Sequence, residues 1–225
     1  MKTTIYSILC VLVFGNALAT PTGLNNIPTA DTVPHHTVAV QHFSSFGGAN
    51  QFASPELGKP SQWMGFKTGW DLDQVHLEWG MDSPLGTGLT GPLLFQTKAR
   101  VEPWDDGMFA LGVAGIALTD QHRSGDPFSY AILCHDFQLA RLHVGYGYQT
   151  SGSSFLFGID RTLKLFERNF NLNADLVQSR DQRGLITAFG AKYELSNRIV
   201  LETWANFPDQ DRVSVITKIN FVFTF

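Results

Sequence analysis

The last seven residues of the chain, "INFVFTF" from Ile219 to Phe225, are the stretch that decides the fold class. Apolar side chains occupy every second position, and the chain stops on phenylalanine. Alternate residues of a β-strand point to the same face, so this stretch presents a continuous apolar face. A terminus usually frays in a soluble domain, and this much aromatic surface requires a partner. The pattern predicts a terminal strand whose apolar face is covered by lipid.

Composition excludes several classes of protein. The chain has 225 residues, a formal net charge of -4, 44% hydrophobic residues and only 16% charged residues, against about 25% charged residues in ordinary soluble proteins. No apolar run in the mature part approaches the roughly 20 residues of a membrane-spanning helix. With 16 basic and 20 acidic residues, the chain offers no basic patch for nucleic acid. Disordered, helical-membrane and nucleic-acid-binding proteins are therefore disfavoured.

The N-terminus has the pattern of an export signal. Lys2 supplies the positive charge, "IYSILCVLVFG" the apolar core, and Ala17-Leu18-Ala19 the small-x-small cleavage site. We expect a signal peptide over residues 1–19. Cys10 lies inside the apolar core, where it does not fit a lipidation signal. Cys134 is then the only cysteine left, so no intramolecular disulfide can form, and we expect it to be a small buried hydrophobe.

From residue 37 onward the sequence divides into segments of about ten residues in which apolar and polar positions alternate. In the last segment Val213, Val215, Thr217 and the apolar positions of "INFVFTF" share one face, opposite Ser214, Lys218, Asn220 and Thr224. We predict twelve strands, near residues 37–43, 62–70, 74–81, 92–102, 108–118, 128–136, 139–149, 154–165, 169–178, 185–194, 198–207 and 212–225.

Alternation alone does not separate a soluble β-sandwich from a membrane barrel, but the lengths of the connections do. Short turns near 71–73, 103–107, 137–138, 166–168 and 195–197 interleave with longer or more polar loops at 44–61, 82–91, 119–127, 150–153, 179–184 and 208–211. One rim with short turns and one with longer loops is typical of transmembrane barrels. The sequence therefore predicts an all-β fold, an antiparallel up-and-down transmembrane β-barrel of about twelve strands over residues 37–225.

Aromatic residues give an independent check on this orientation, because they collect at both membrane interfaces. We expect an outer girdle of Trp79, Tyr146, Tyr148 and Phe207, and an inner girdle of Trp70, Tyr193, Phe221, Phe223 and Phe225. Between the girdles, the lipid-facing positions include Phe66, Phe95, Val101, Leu111, Val113, Leu142, Val144, Phe189 and Leu201.

The terminal strand resembles the C-terminal assembly signal of bacterial outer-membrane β-barrel proteins, which ends in phenylalanine after alternating apolar positions. That resemblance implies an outer-membrane location, membrane lipid as surroundings and the barrel-assembly machinery as a partner. It assigns the signal to Val215, Ile219, Phe221, Phe223 and Phe225. Separately, "GLNNIPTADTVP" at 23–34 resembles the N-terminal segment of some outer-membrane proteins of the YjbH type.

Inward positions of the strands collect charges of both signs, which suggests a narrow water-filled pore for passive passage of small polar solutes. The alternative is a non-conducting structural or surface-interaction barrel in which these groups pair across the interior. The predicted lumen-lining residues are Lys67, His76, Glu78, Gln96, Lys98, Arg100, Glu102, Arg141, His143, Asp160, Lys164, Asp175, Lys192, Glu194, Glu202 and Lys218.

An enzyme is disfavoured, although some small outer-membrane barrels are hydrolases. The pairs His143 with Ser129 and His76 with Glu78 are the candidates, but no flanking residues mark a nucleophile or an oxyanion hole. His35 and His36 are adjacent, so we expect their side chains on opposite faces and no metal site. "GTGLTG" at 86–91 lacks the following helix of a dinucleotide site, so no cofactor is predicted.

Two features do not fit the wall of a barrel. Residues 20–36 are too polar and too rich in Pro and Asn, so they either hang in the periplasm, the assignment that we adopt, or fold into the barrel mouth as a plug. They are too short for the passenger of an autotransporter. Arg161 has lipid-facing parity, where a charge at the midplane costs about 2 to 4 kcal/mol. It either lies near the inner interface or follows a β-bulge at Asp160.

Overall fold

The computed structural model describes residues 21–47, 61–85, 92–119, 126–179, 184–209 and 212–225, which form twelve β-strands. The expected signal peptide and the "GTGLTG" stretch lie outside these residues. The strands are β1 (Thr37–Gly47), β2 (Ser61–Leu72), β3 (Val75–Pro84), β4 (Leu94–Trp104), β5 (Gly107–Ala117), β6 (Phe128–Asp136), β7 (Arg141–Gln149), β8 (Gly152–Leu165), β9 (Arg168–Ser179), β10 (Leu185–Ser196), β11 (Ile199–Pro208) and β12 (Ser214–Thr224).

The strands close into one barrel in which each pairs antiparallel with its neighbours in sequence. Closure is made by β1 and β12, which pair from Thr37 with Thr224 to Gly47 with Ser214. Because a closed sheet pairs its edge strands, the backbone of "INFVFTF" is held in the ladder and cannot fray. The predicted fold, an antiparallel up-and-down β-barrel of about twelve strands, is confirmed.

The two rims of the barrel differ in their connections. Short connections at 73–74, 105–106, 137–140, 166–167 and 197–198 lie at one end, the turn rim, together with the start of β1 and the end of β12. The connections at the other end, the loop rim, span 48–60, 85–93, 118–127, 150–151, 180–184 and 209–213. Five of these six connections are longer than any at the turn rim, as the sequence predicts, whereas 150–151 is a two-residue connection. Among the described residues there is no helix with the length and hydropathy to cross a membrane.

Side chains alternate between the outer surface and the interior as the sequence predicts. In β12, Val215, Phe221 and Phe223 are exposed, whereas Ser214 and Lys218 are buried. The exposed outer surface also carries most of the predicted girdle aromatics, including Trp70, Tyr146, Tyr148, Phe207 and Phe225. An apolar outer surface of this extent has no counterpart on a soluble monomer and fits a lipid environment.

Arg161 lies on the outer surface near the turn rim. The registers of β7 with β8 and of β8 with β9 run without a shift past Asp160, so no bulge changes the face. Instead, β8 and β9 continue beyond the start of β7: Arg141, the first residue of β7, pairs with Asp160, and β8 runs on to Leu165. Arg161 therefore lies beside the turn-rim end of β7, where β7 begins and where a long cationic side chain can reach water.

The interior contains more than the inward polar side chains. Residues 21–36, hereafter the plug, lie inside the wall, with Ile27 and Ala30 buried. Of the two placements that the sequence left open for this segment, the structure has the one inside the barrel rather than the periplasmic one. Towards the loop rim lies a second group, the loop-side cluster, of buried apolar side chains: Phe43, Trp63, Leu94, Ala188, Trp204 and Ile216.

Candidate functional site

Two buried, oppositely charged side chains fasten one side of the plug to the wall. Glu78 of β3 accepts hydrogen bonds from the backbone N–H of Thr22 at 2.8 Å and of Val33 at 2.9 Å. Lys98 of β4 donates to the carbonyl oxygens of Thr22 at 2.9 Å and Thr29 at 3.1 Å, and also to that of Asp31. These bonds satisfy backbone groups that a buried irregular segment would otherwise leave unpaired.

A guanidinium group links the plug to a second part of the wall. Arg141 of β7 forms paired hydrogen bonds to Asp31 at 2.8 and 3.2 Å, and to Asp160 of β8 at 3.1 and 3.2 Å. His143 lies 2.7 Å from the same Asp160 carboxylate. Burial by itself raises the pKa of the Asp31 carboxyl, but the Arg141 guanidinium outweighs burial and holds that pKa below its ordinary value. Asp31 is therefore ionised at neutral pH.

Asp175 of β9 holds the first turn of the plug. Its carboxylate accepts hydrogen bonds from the backbone N–H of Asn25 at 2.8 Å and of Asn26 at 2.7 Å. The Asn26 side chain reaches across to Asn206 of β11 at 3.0 Å. The plug therefore contacts strands on opposite sides of the barrel and spans the interior.

The remaining side of the plug is apolar. Ile27 and Ala30 pack against inward residues of β5, β6 and β8, and Cys134 is among them, fully buried. The wall residues of this contact are Ala110, Ala114, Phe128, Tyr130, Ile132, Cys134 and Leu156. Burial of about 25 cal/mol per Å² of apolar surface adds to the hydrogen bonds that hold the plug.

A polar cavity of about 510 Å³ lies between the plug and the strands β8 to β12, β1 and β2. Three cationic side chains line it, namely Lys67, Lys192 and Arg141, together with the indole of Trp204. Its acidic lining residues are Asp31, Asp160, Glu194 and Glu202, and its asparagines are Asn25, Asn169, Asn171, Asn173, Asn197 and Asn220.

The charges around this cavity are unevenly compensated. Glu202 accepts a hydrogen bond from Asn220 at 2.6 Å and lies 3.7 Å from the ammonium group of Lys218. Glu194 accepts a hydrogen bond from Asn169 at 2.7 Å. Within the described part of the chain, Lys67 and Lys192 form no ion pair. The cavity therefore contains two lysines without a carboxylate at contact distance.

The predicted lumen-lining residues fall into three groups, which differ in what they contact. Those that hold the plug or adjoin its contacts are Glu78, Lys98, Arg141, His143, Asp160 and Asp175. Those around the cavity are Lys67, Lys192, Glu194, Glu202 and Lys218, and Gln96 is buried in the wall. Four lie at or near the turn rim: His76, bonded to Asp71 at 2.7 Å; Arg100, paired with Glu102 at 2.9 Å; Glu102 itself; and Lys164, bonded to Asn169 at 2.6 Å.

The candidate hydrolase pairs do not form a catalytic arrangement. His143 is fully buried in the interior, whereas Ser129 is exposed on the outer surface, so the two lie on opposite faces of the wall. In the β6–β7 register His143 pairs with Cys134, and an odd number of positions separates Cys134 from Ser129, so strand alternation turns the two candidate side chains to opposite faces.

Glu78 is hydrogen-bonded to the backbone of the plug, and His76 is hydrogen-bonded to the side chain of Asp71. The two members of the second candidate pair, His76 and Glu78, therefore bind different partners.

The adjacent histidines differ from the prediction. The rings of His35 and His36 stack with centroids 3.8 Å apart rather than pointing to opposite faces. His36 precedes β1 and has a φ of 53°, so the alternation of a strand does not apply to it. No group of three metal-ligating side chains occurs in the part of the chain that the structure describes.

Sequence reasoning did not find the residues of the plug that bind the wall. Thr22, Asn25, Asn26 and Asp31 lie in a segment without strand periodicity, so nothing in its pattern indicated their partners. The alternate asparagines of β9, Asn169, Asn171 and Asn173, carry a visible signal, because three amides on one face of a strand are unusual in an interior.

No protein-family model matches the sequence, and no curated protein matches it. Solved structures do share its fold. The KdgM porin matches with a TM-score of 0.56 and 6% identity over 82% of this chain and 99% of that chain. The COG4313 outer membrane channel from Pseudomonas putida F1 matches with a TM-score of 0.58 and 6% identity over 88% and 100%. Outer membrane phospholipase A from Escherichia coli matches with a TM-score of 0.54 and 9% identity over 84% and 93%.

These structures are outer-membrane β-barrels, two of them a porin and a channel, and the predicted likeness to that class of fold is confirmed. At these identities the likeness concerns the fold. The resemblance of residues 23–34 to YjbH-type proteins has no support in any of the comparisons.

Proposed function

We propose that this protein is a channel of the outer membrane for small polar solutes, and that the plug limits passage through it. The observation that carries the proposal is the polar cavity of about 510 Å³ that lies against the plug inside the barrel. A closed structural barrel has no need for a solvated interior lined by amides and charges of both signs. In a channel, such groups replace part of the hydration of a passing solute.

The plug has the contacts expected of a movable obstruction. Its backbone is bound by side chains of the wall, at Glu78, Lys98 and Asp175. Among the described residues of the plug, only the last three, residues 34–36, bond to the backbone of the sheet. Each of the side-chain bonds can be exchanged for water without disturbing the ladder of the sheet. Displacement of the plug would join the cavity to the apolar interior beside β5 to β8 and open a path past it.

Planar-bilayer conductance of the full-length protein tests the proposal. In a Cys134→Ala background, cysteines replace Asn26 and Asn206, whose side chains are 3.0 Å apart across the interior. A short bis-methanethiosulfonate reagent then ties the plug to β11, and a reductant releases it. We expect stepwise openings from the reduced protein and far fewer openings from the cross-linked protein.

The matched control carries cysteines at Ser129 and Tyr148, which pair across β6 and β7 on the outer surface, away from the plug and the cavity. Cross-linking there should leave conductance unchanged. A silent bilayer, despite verified insertion of the reduced protein, would remove the channel. Openings that persist unchanged in the cross-linked protein would leave a channel and remove the role of the plug.

One observation favours the alternative, a non-conducting structural or surface-interaction barrel. The loop-side cluster places Phe43, Trp63 and Trp204 inside the barrel, where they bury apolar surface and narrow the interior. If this cluster and the plug stay in place together, no continuous aqueous path exists. Insertion without conductance, before and after release of the plug, is the result expected from that alternative.

A further inference from the structure

The cavity beside the plug has a composition that selects its ligand. Six of the ten asparagines in the chain line it. A carboxamide presents a donor and an acceptor in one plane. This geometry matches neighbouring hydroxyl groups on a sugar ring, each of which both donates and accepts. The volume of about 510 Å³ lies within the roughly 300 to 1,000 Å³ of small-molecule sites.

Several polar atoms of the cavity wall are buried without a hydrogen-bond partner among the described residues. They are Nδ2 of Asn25, Oδ1 of Asn173, Oδ1 of Asn220 and Nε1 of Trp204. Three of these side chains converge on Gly190, where an added Cβ would lie 2.3 Å from the Asn25 amide oxygen and 2.8 Å from the Asn173 amide oxygen and Trp204. Buried polar groups in native proteins are usually satisfied, so these atoms leave hydrogen-bonding capacity for a polar ligand or for water in the cavity.

The two lysines of the cavity add a charge requirement. Lys67 is buried, Lys192 is half-buried, and neither is in an ion pair with a described residue. Lys192 lies between Asn171 of β9 and Glu202 of β11 in register, so its side chain has an amide and a carboxylate as neighbours on the inner face. Desolvating an ammonium group is unfavourable unless an anion or polar groups compensate it. A ligand with one carboxylate and several hydroxyl groups satisfies both the lysines and the amides.

We propose that this cavity is a binding site for a small polyhydroxylated carboxylate, of which a uronic acid is the simplest example. The carboxylate lies between Lys67 and Lys192. The hydroxyl groups bond to the amides of β9 and β12 and to the indole N–H of Trp204. The inference deepens the proposed function by naming a solute class for the same interior, but it rests on the cavity itself and does not require conduction.

Isothermal titration calorimetry on the detergent-solubilised full-length protein tests this site with D-glucuronate as the probe. D-glucose, which lacks the carboxylate, and acetate, which lacks the hydroxyl groups, are the comparison ligands. We expect D-glucuronate to bind at least tenfold more tightly than either of them, because only D-glucuronate engages both sets of groups.

Three variants separate the contributions to binding. Lys192→Met keeps the length of the side chain and should weaken D-glucuronate binding about tenfold, with no effect on D-glucose. Trp204→Phe keeps an aromatic ring, removes the indole N–H and should weaken both sugars. Arg161→Met is the matched control, because Arg161 carries the same charge and lies on the outer surface away from the cavity, and it should change neither affinity.

Heat-dependent migration on a gel verifies the folded barrel for each variant. Lack of D-glucuronate binding by the folded protein would overturn the proposal, as would equal affinities for D-glucuronate and D-glucose, or equal effects of Lys192→Met and Arg161→Met. Should Lys192→Met fail to fold, Lys67→Met gives the same comparison. Binding without conductance would leave this site standing and remove the channel, and conductance without binding would do the reverse.

Discussion

The ammonium group of Lys98 lies 3.7 Å from the carboxylate of Glu78, with the two side chains 0% and 1% exposed. Both groups also bind the backbone of the plug. The cost of burying these two charges is offset by their mutual attraction and by the hydrogen bonds of the plug together. The docked plug and the buried ion pair therefore depend on each other.

Lys98→Met should release the plug while the barrel stays closed. The substitution leaves the Glu78 charge buried without its partner and several plug carbonyls unpaired, and breaking a buried pair in this way costs about 3 to 5 kcal/mol. Hydrogen exchange at residues 21–36 should accelerate accordingly, with little change in β12. Lys164→Met is the control. The Glu78→Gln/Lys98→Met double variant should cost less than the sum of the single variants, because no uncompensated charge remains.

The contribution of Asp31 to docking of the plug should be insensitive to pH between about 8 and 5. The folded pKa of Asp31 is depressed by Arg141, so its stabilising contribution is present above the ordinary carboxyl pKa of 3.8 and is lost as the pH falls below that value towards the folded pKa. Asp31→Asn should remove this contribution at every pH, at a cost of about 1 to 3 kcal/mol for bonds to a charged group. Limited proteolysis of residues 21–36 across the pH range measures both effects. A difference between the wild type and Asp31→Asn that changes between pH 8 and 5 would contradict this account of Asp31.

Arg161→Leu should change the free energy of unfolding by no more than about 0.5 kcal/mol. Arg161 lies near the turn rim, where its charge reaches water. Phe157→Arg is the comparison, because Phe157 pairs with Val144 near the middle of β7 and faces outward. A charge introduced there should cost about 2 to 4 kcal/mol. Urea unfolding in liposomes gives both values, and equal costs would contradict the placement of Arg161.

Phe225→Ala should slow insertion of the barrel. The backbone N–H of Phe225 donates to the His36 carbonyl at 3.0 Å, and its ring stacks on that of His36 at 5.8 Å, so the residue helps to close the seam. It is also the last position of the expected assembly signal. The rate at which the heat-modifiable form appears in membranes measures the effect. Phe137→Ala, another exposed aromatic at the turn rim, is the control, and an equal delay in both variants would contradict a special role of the terminus.

The barrel could be predicted because its information is local. A period of two in side-chain polarity assigns strands and faces, and alternating connection lengths assign the topology, as the pairing of β12 with β1 shows. Each of these signals lies within a segment of about ten residues, so the sequence of a single chain is enough to predict the barrel. The alternation of side chains along each strand also explains why Glu78 and Asp175 lie inside the barrel and Phe221 and Phe223 lie outside.

The plug and the cavity could not be predicted in the same way. Thr22 and Glu78 are 56 residues apart, and Asn25 and Asp175 are 150 apart. Such contacts depend on which side chains face one another across the interior, which follows from the curvature and register of the closed wall rather than from any local pattern. The loop-side cluster could not be predicted for a related reason. Strand alternation places Ile216 and Trp204 on the inner face, but it does not show that their side chains meet.

The local sequence pattern is sufficient to predict a closed antiparallel barrel, because an apolar outer surface and an enclosed interior impose a period of two on every strand. What fills that interior follows only from the folded arrangement of the chain. The plug lies against Glu78, Lys98, Arg141 and Asp175 because a segment that cannot join the sheet must find partners for its backbone groups, and closure of the barrel brings these charged side chains around it.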